Sequence, residues 1–355
     1  MRVVLTCDWF LKYSASQAAA LARTGVQVVL LCRAHAFEFG GDARERAETL
    51  DAARMVGVRV IELPRRHRDP AAFESLIRIR RSLSRFRPDV IHAHEGADPR
   101  ALALLPRAPI VLTVHDPTPH PGQPIARQST KRWFLKRVQD AWRARARLII
   151  VHSAYLRGEV PLRGDQRCAV VPHGLELYPE PLPPPSIPAV GFFGRLEPYK
   201  GLTVLASAMP RVWAERPEVQ LRIAGSGPVQ LPLRDRRVSI DRSYLPEAAF
   251  EQFFRSVSLA VLPYTEASQS GAGSTAVGYG IPIVVSRLGG LPDLALDDTY
   301  VVEPGDEGSL AAGIMRHIDD GVEARAQVRE QVAAPRTWDS AATLTVSLYE
   351  DLRAG

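Results

Sequence analysis

Two cationic side chains in one short loop carry the clearest chemical signal in the sequence. In GFFGRLEPYKG (191–201) an apolar run ends at Gly194 and is followed by Arg195 and then by Lys200 and Gly201. A guanidinium offers a planar fork of donors and an ammonium a compact point charge, so the pair suits the two phosphates of a diphosphate. A helix starting directly afterwards adds backbone N–H groups and the positive end of its dipole. A second stretch, LPYTEASQSGAGSTAVGYGIPIVVS (262–286), sets Glu266, Ser268, Ser270, Gly271, Ala272, Gly273 and Thr275 between an apolar run and a run of small residues. Small residues let a ligand approach the backbone closely. Alone, a Ser/Gly-rich turn says little; if both stretches border one sheet, they can form one site.

Such loops need strand ends to hold them, and the hydrophobic pattern supplies two sets. At 355 residues the chain exceeds what one core usually organises, so two domains are expected. Hydrophobic residues make up 46% and charged residues 24%, as in folded globular proteins and unlike disordered chains. Apolar, β-branched runs recur at 3–7, 26–32, 58–63, 89–94, 110–114, 148–152 and 169–172, with helix-like segments between many of them. This alternation predicts an α/β fold, a parallel sheet with helices on both faces. The clearest helix is 71–86, with Phe73, Leu76, Ile77, Leu83 and Phe86 expected on its apolar face. PEPLPPPSIP (179–188) contains six prolines; it can continue neither a helix nor a central strand and reads as a linker. Runs at 189–194, 219–225, 238–241, 259–264 and 282–286 then predict a second parallel sheet. Ligands of open α/β sheets bind beyond the carboxyl ends of the strands, and both chemical stretches fall there.

Composition narrows the function further. Cys7, Cys32 and Cys168 lie in or beside predicted strands without metal-site spacing and read as buried thiols. There is no Asp-x-Asp motif, and the adjacent Asp297 and Asp298 read as turn residues. The start resembles a first strand more than a signal peptide, and no stretch reaches the roughly 20 apolar residues of a membrane span, so a cytoplasmic location is expected. Charge is uneven: residues 1–175 hold 29 Lys+Arg against 16 Asp+Glu, a net +13, while the remainder is −7. The basic half predicts an anionic partner.

Together, VVPHGLE (170–176), GRLEPYKGL (194–202), LRIAGSGP (221–228), the Glu266 segment, GIPIVVSRLGGLPDL (280–294) and VVEPGD (301–306) resemble the donor-binding domain of the retaining GT-B glycosyltransferases of the glycosyl-transferases-group-one family. The resemblance implies a GT-B architecture, two Rossmann-like parallel-sheet domains facing a cleft. Its divisions would be an acceptor-side domain at 1–178, the linker at 179–188, a nucleotide-sugar domain at 189–336, and a final helix at 337–355 returning to the first domain. It also implies roles. Arg195 and Lys200 would neutralise the donor diphosphate, and Glu266 would accept hydrogen bonds from sugar hydroxyls. The backbone near Ser270 and Gly271 would hold phosphate oxygens, with Gly194, Gly225, Ser268, Ala272 and Thr275 completing the donor site. No metal and no cofactor is implied, the nucleotide-diphosphate sugar being a substrate. The sequence departs from the family where a second Glu is usual, reading Ser274 and Thr275 instead.

The first half resembles the family most at IVLTVHDPTPHP (110–121), which implies a place beside the donor sugar for His115; His92, His94, His120 and His152 read as structural. The loop after the first strand, CDWFLKYSASQ (7–17), lacks the paired glycines usual there. Lys12, Tyr13 and Ser14 are candidate donors at the next helix start, while Trp9 and Phe10 either wall the acceptor or pack on the core. The implied function is retaining, metal-independent transfer of a sugar to an unidentified hydroxyl acceptor, with a lipid-linked or anionic acceptor in view. A sugar-nucleotide epimerase and a non-catalytic sugar-nucleotide-binding subunit are the alternatives. No Gly-x-Gly-x-x-Gly follows the first strand, against a nicotinamide enzyme, and no motif supports nucleic-acid binding. In 127–147, Arg127, Lys131, Arg132, Lys136, Arg137, Arg143, Arg145 and Arg147 surround Trp133, Phe134, Leu135, Val138 and Trp142. The plainer reading is a crossover helix; the other is contact with an anionic membrane surface, peripheral at its inner face.

Overall fold

Every apolar run marked above overlaps a strand in the computed structural model, which describes residues 1–8, 10–33, 37–39, 42–64, 70–95, 98–115, 130–243, 245 and 249–354. The chain forms two units, one from the described residues of 1–174 with 338–354, the other from 175–337.

In the first unit, β1 (Arg2–Thr6), β2 (Gln27–Arg33), β3 (Arg59–Leu63), β4 (Val90–His94), β5 (Ile110–Thr113), β6 (Ala146–Val151) and β7 (Arg167–Val170) form one parallel sheet in the order β3-β2-β1-β4-β5-β6-β7. The chain leaves β1 in one direction and returns to lay β4 on its other side. That reversal puts the intervening helices on opposite faces, since crossovers are right-handed. Helices α1 (Leu11–Arg23) and α2 (Ala43–Met55) share a core with Trp338, Ala342 and Tyr349 of the final helix, Trp338–Ala354. The other face is covered by α3 (Pro70–Phe86), α4 (Pro99–Leu104), α5 (Thr130–Arg145) and α6 (Ala154–Glu159).

The buried face of α3 differs from the expectation. Ala72, Leu76, Ile79, Leu83 and Phe86 pack inward, whereas Phe73 and Ile77 are 66% and 37% exposed. Alternating steps of four and three keep a seam along one side of the helix, and Phe73 and Ile77 lie one position off it.

In the second unit, β8 (Ala189–Phe193), β9 (Gln220–Ala224), β10 (Val238–Asp241), β11 (Leu259–Leu262), β12 (Ile283–Ser286) and the two-residue β13 (Val301–Val302) form a parallel sheet ordered β10-β9-β8-β11-β12-β13. It holds one core, which α7 (Leu202–Glu215), α8 (Phe250–Arg255), α9 (Gly271–Gly278), α10 (Glu307–His317) and α11 (Gly321–Gln327) surround. Only β13 lies outside the apolar runs marked above, being too short for periodicity to show. The Pro-rich stretch is fastened to this unit: Leu182 is buried in its core, and the buried Arg325 donates to the carbonyls of Leu182 (2.9 Å) and Val257 (2.6 Å). Prolines leave carbonyls without ladder partners, and a guanidinium with several donors can satisfy them.

Candidate functional site

At the switch point of the second sheet, β8 and β11 are adjacent, so the loops leaving their carboxyl ends are neighbours. Glycine makes this approach possible. Gly201 has φ +70°, and a Cβ there would fall 1.7 Å from the Pro263 carbonyl oxygen; one on Gly225, at φ +148°, would fall 1.8 Å from that of Gly194. Both conformation and space exclude other residues at these positions. A Cβ on Gly194 would also reach the Ala272 methyl at 3.4 Å, so the β8 and β9 ends meet the start of α9.

Lys200 is 9% exposed. Its Nζ donates to the Tyr264 hydroxyl at 2.7 Å and lies 3.9 Å from that ring's centroid. Tyr264 is in turn 2.9 Å from Ser270 Oγ, and Ser270 caps α9 by accepting from Gly273 N–H at 3.1 Å. Arg195 Nη2 donates to the Tyr199 hydroxyl at 2.9 Å, and the Tyr199 carbonyl accepts from Thr265 N–H at 2.8 Å. Burial, helped by the charge of Arg195 and opposed by Glu197, pushes Lys200 down to about 7; an arriving anion would favour its charged form. The first turn of α9 has no acidic residue, Gly271 is exposed, and a Cβ on it would meet nothing within 4 Å. An ammonium, a guanidinium and an open helix N-terminus thus gather at one strand-end edge, an arrangement suited to phosphate.

Of the residues named from sequence, Gly194, Lys200, Gly225, Ser270 and Ala272 are joined by these contacts, with Arg195 tied in through Tyr199. Gly271 forms the open mouth of α9. Glu266 is exposed in the loop between β11 and α9. The Ser268 carbonyl accepts from Gly290 N–H at 2.9 Å, and Thr275 Oγ1 donates to the Gly271 carbonyl at 3.0 Å. Tyr264, the hub of the group, escaped sequence reading. A tyrosine at a strand end resembles core, and its link to Lys200 spans 64 positions.

The first sheet presents imidazoles at the carboxyl ends of its own strands. His92, His94, His115, His152 and His173 stand in or beyond β4 to β7; the last four surround Tyr13, and His92 stacks on His94. His94 bridges His115 Nε2 (3.0 Å) and Gln17 Oε1 (2.8 Å); His92 bridges Thr113 and Tyr349. Burial pushes His92 and His152 down to about 3 and His173 to about 4, and holds His94 and His115 well below the usual range. All five are neutral at physiological pH. His115 is joined to His94 and through it to Gln17, and its ring stacks on Phe10 with centroids 3.9 Å apart. Trp9, His120 and the remainder of 116–121 lie outside the described residues. Among the described residues no cluster of His, Cys, Asp or Glu is arranged to hold a metal ion.

The donors expected of the α1 start are already used. Glu38 accepts from Leu11 N–H (2.5 Å) and Lys12 N–H (3.3 Å), and Lys12 Nζ pairs with Glu45 at 2.6 Å. Tyr13 packs among the histidines, and the Ser14 hydroxyl is buried beside the Cys7 thiol. A carboxylate from the chain itself satisfies this helix end, so Lys12, Tyr13 and Ser14 do not form the donor cluster read from sequence. In α5, Trp142 is 1% exposed and Val138 packs on the same core, while Arg143 pairs with Glu95 at 2.6 Å. Arg127 and the side chains of Lys131 to Leu135 fall outside the described residues. No helix among the described residues is long and apolar enough to cross a membrane.

Known proteins share both halves. Residues 12–177 match Glycosyltransferase Family 4, and residues 187–320 match Glycosyl transferases group 1. The chain is 27% identical over 299 residues to a glycogen synthase of Mycobacterium tuberculosis, covering 76% of this chain and 70% of the relative. It is 28% identical over 170 residues to a GDP-mannose-dependent monoacylated alpha-(1-6)-phosphatidylinositol monomannoside mannosyltransferase of Corynebacterium glutamicum, covering 43% of this chain and 45% of that one. In structure it is similar to sucrose-phosphate synthase from Thermosynechococcus elongatus, with TM-score 0.69 and 20% identity over 100% of this chain and 99% of that one. Anabaena Alr3699/HepE, solved in complex with UDP and glucose, gives TM-score 0.65 at 16% identity, with full coverage of both chains. The fold is that of the GT-B glycosyltransferases, with two Rossmann-like parallel-sheet domains, and the matches support a glycosyltransferase.

Proposed function

We propose that this glycosyltransferase takes its sugar from a nucleoside-diphosphate donor whose diphosphate rests on Lys200, Arg195 and the start of α9, and transfers it with retention and without a metal. The observation that carries the reading is the meeting of Lys200, Tyr264 and Ser270 at the switch point of the second sheet, with Gly271 open beside them. Two cations and a helix N-terminus can stabilise charge growing on the leaving diphosphate, the task a divalent ion performs elsewhere. In a transfer with retention the departing phosphate oxygen can itself take the proton of the incoming hydroxyl, so no protein base is required. Glu266 is assigned to the sugar hydroxyls. His115, neutral and held by His94, is assigned to the transferred sugar as a hydrogen-bonding group rather than a charge.

The complexes and names of the relatives support a nucleotide-sugar donor: one neighbour is held with UDP and glucose, and one relative is named for GDP-mannose. The acceptor is assigned to the first unit as an anionic or lipid-linked hydroxyl compound, in keeping with the +13 balance of residues 1–175. A thermal-shift screen of UDP, GDP, ADP and their sugars picks the donor, because a specific ligand stabilises the fold by mass action. Transfer is then run in excess EDTA and the product anomer read by NMR. Inverted product would overturn retention, and activity lost to EDTA but restored by Mg²⁺ would overturn metal independence.

A further inference from the structure

We propose that Tyr264 is a positioning residue that passes the charge of Lys200 to the Ser270 hydroxyl, so that Ser270 presents its proton to a phosphate oxygen at the start of α9. The proposal rests on the reading of this edge as the diphosphate site.

Hydrogen-bond direction carries the argument. A charged lysine ammonium has donors and no acceptor, so the Tyr264 oxygen must accept from Lys200 Nζ at 2.7 Å. The Tyr264 proton is then available for Ser270 Oγ, 2.9 Å away. Ser270 Oγ also accepts from Gly273 N–H at 3.1 Å, which occupies its second lone pair. A hydroxyl with both lone pairs engaged has one remaining function, donation of its own proton. Each bond in such a chain polarises the next, so the ammonium strengthens a donor that it does not touch. Both ends are fixed. Lys200, Tyr264 and Ser270 are all buried, and the Lys200 loop is closed on β11 by Gly201, whose absent Cβ leaves room for the Pro263 carbonyl.

The direction depends on the charge of Lys200. A neutral lysine amine can accept from the Tyr264 hydroxyl, whose oxygen would then take the Ser270 proton, and the outward donor would be lost. The charged and titratable groups acting on Lys200 are Arg195, which disfavours its charge, and Glu197, which favours it; Arg195 and Tyr199 act on Tyr264. With Lys200 near 7, both directions are reached within an ordinary pH range.

Calorimetric titration with UDP, GDP and ADP at pH 6.5 tests the proposal, using the nucleotide that binds wild-type protein most tightly. Tyr264→Phe keeps the ring against Lys200 and removes the hydroxyl that joins Lys200 to Ser270, and Ser270→Ala removes the relay's end. Each is expected to weaken binding about tenfold, and the double variant to be no weaker than either single one, because the two act in series. Ser270→Thr, which keeps a hydroxyl, is expected to bind like wild type. The ratio between wild type and Tyr264→Phe should shrink at pH 9, a comparison in which titration of the nucleotide cancels. Circular dichroism and melting curves establish that each variant is folded. Binding by Tyr264→Phe within twofold of wild type, or losses that multiply to about a hundredfold in the double variant, would overturn the relay. Absence of binding by wild type to any of the three nucleotides would instead overturn the diphosphate-site reading, and the relay with it.

Discussion

Helices α1 and α9 both start beyond a central strand of a parallel sheet, and their first turns differ in what satisfies them. The α1 amides of Leu11 and Lys12 are taken by the Glu38 carboxylate, and nearby Lys12 is paired with Glu45. At α9 the cap is the neutral Ser270, with Gly271 exposed and Lys200 held two hydrogen bonds away through Tyr264. A helix N-terminus attracts anions wherever it occurs; what differs is whether the chain fills it. In this protein the first unit fills its own helix start and surrounds it with neutral imidazoles, while the second leaves one open beside cations.

The sharpest way to break this comparison is to remove the cations. Lys200→Ala and Arg195→Ala are each expected to lower transfer at least about a hundredfold, in line with roughly 3–4 kcal/mol for a well-placed donor, with folding intact by circular dichroism. Turnover close to wild type in either would place the diphosphate elsewhere.

Gly201→Ala tests the backbone of the same edge. A methyl 1.7 Å from the Pro263 oxygen, on a residue at φ +70°, requires the β8 loop to move off β11, at a cost on the order of 3 kcal/mol. A melting point several degrees lower and weakened nucleotide binding are expected, whereas Gly25→Ala, at φ +88° with open space around it, should cost less and leave binding unchanged. Equal effects would mean that conformation, not the meeting of the two loops, decides.

The imidazole edge makes a pH prediction. His92 and His152 are pushed down to about 3 and His173 to about 4, below the unfolded value of about 6.5. The folded state then binds fewer protons than the unfolded one, so stability rises with pH from about 4 to 6.5. Glu38 acts in the opposite sense, since burial raises it to about 7 and the folded state holds its proton longer. Three bases outweigh one acid. Melting temperature should climb between pH 4.5 and 6.5, and climb more steeply in Glu38→Gln; a flat wild-type profile, or an unchanged slope in the variant, would contradict these ionisation states.

The smallest effect expected is on nucleotide binding by that same Glu38→Gln variant, within about twofold of wild type by calorimetry. A larger change would bring the α1 start into the donor site and erase the contrast between the two helices.

Much of this was legible in the sequence because it is local. Apolar runs separated by helical segments predict parallel strands, and twelve of the thirteen strands overlap the runs so marked, because period and β-branching act over a few neighbouring residues. Arg195, Lys200 and Gly194 stood out because they share one loop, and Ser270 and Gly271 because a cap and a small residue open a helix. The α3 seam misled because Phe73 and Ile77 are apolar in type, and only packing shows that Ala72 and Ile79 take the inward places instead. Residue type alone did not reveal that Glu38 turns into the α1 start 27 positions away, that Tyr264 joins Lys200 across 64 positions, or that His92 reaches Tyr349 across 257. Those pairings follow from strand order and crossover direction, which bring distant strand ends to one edge, and hydrogen-bond partners are chosen only after the sheet has done so.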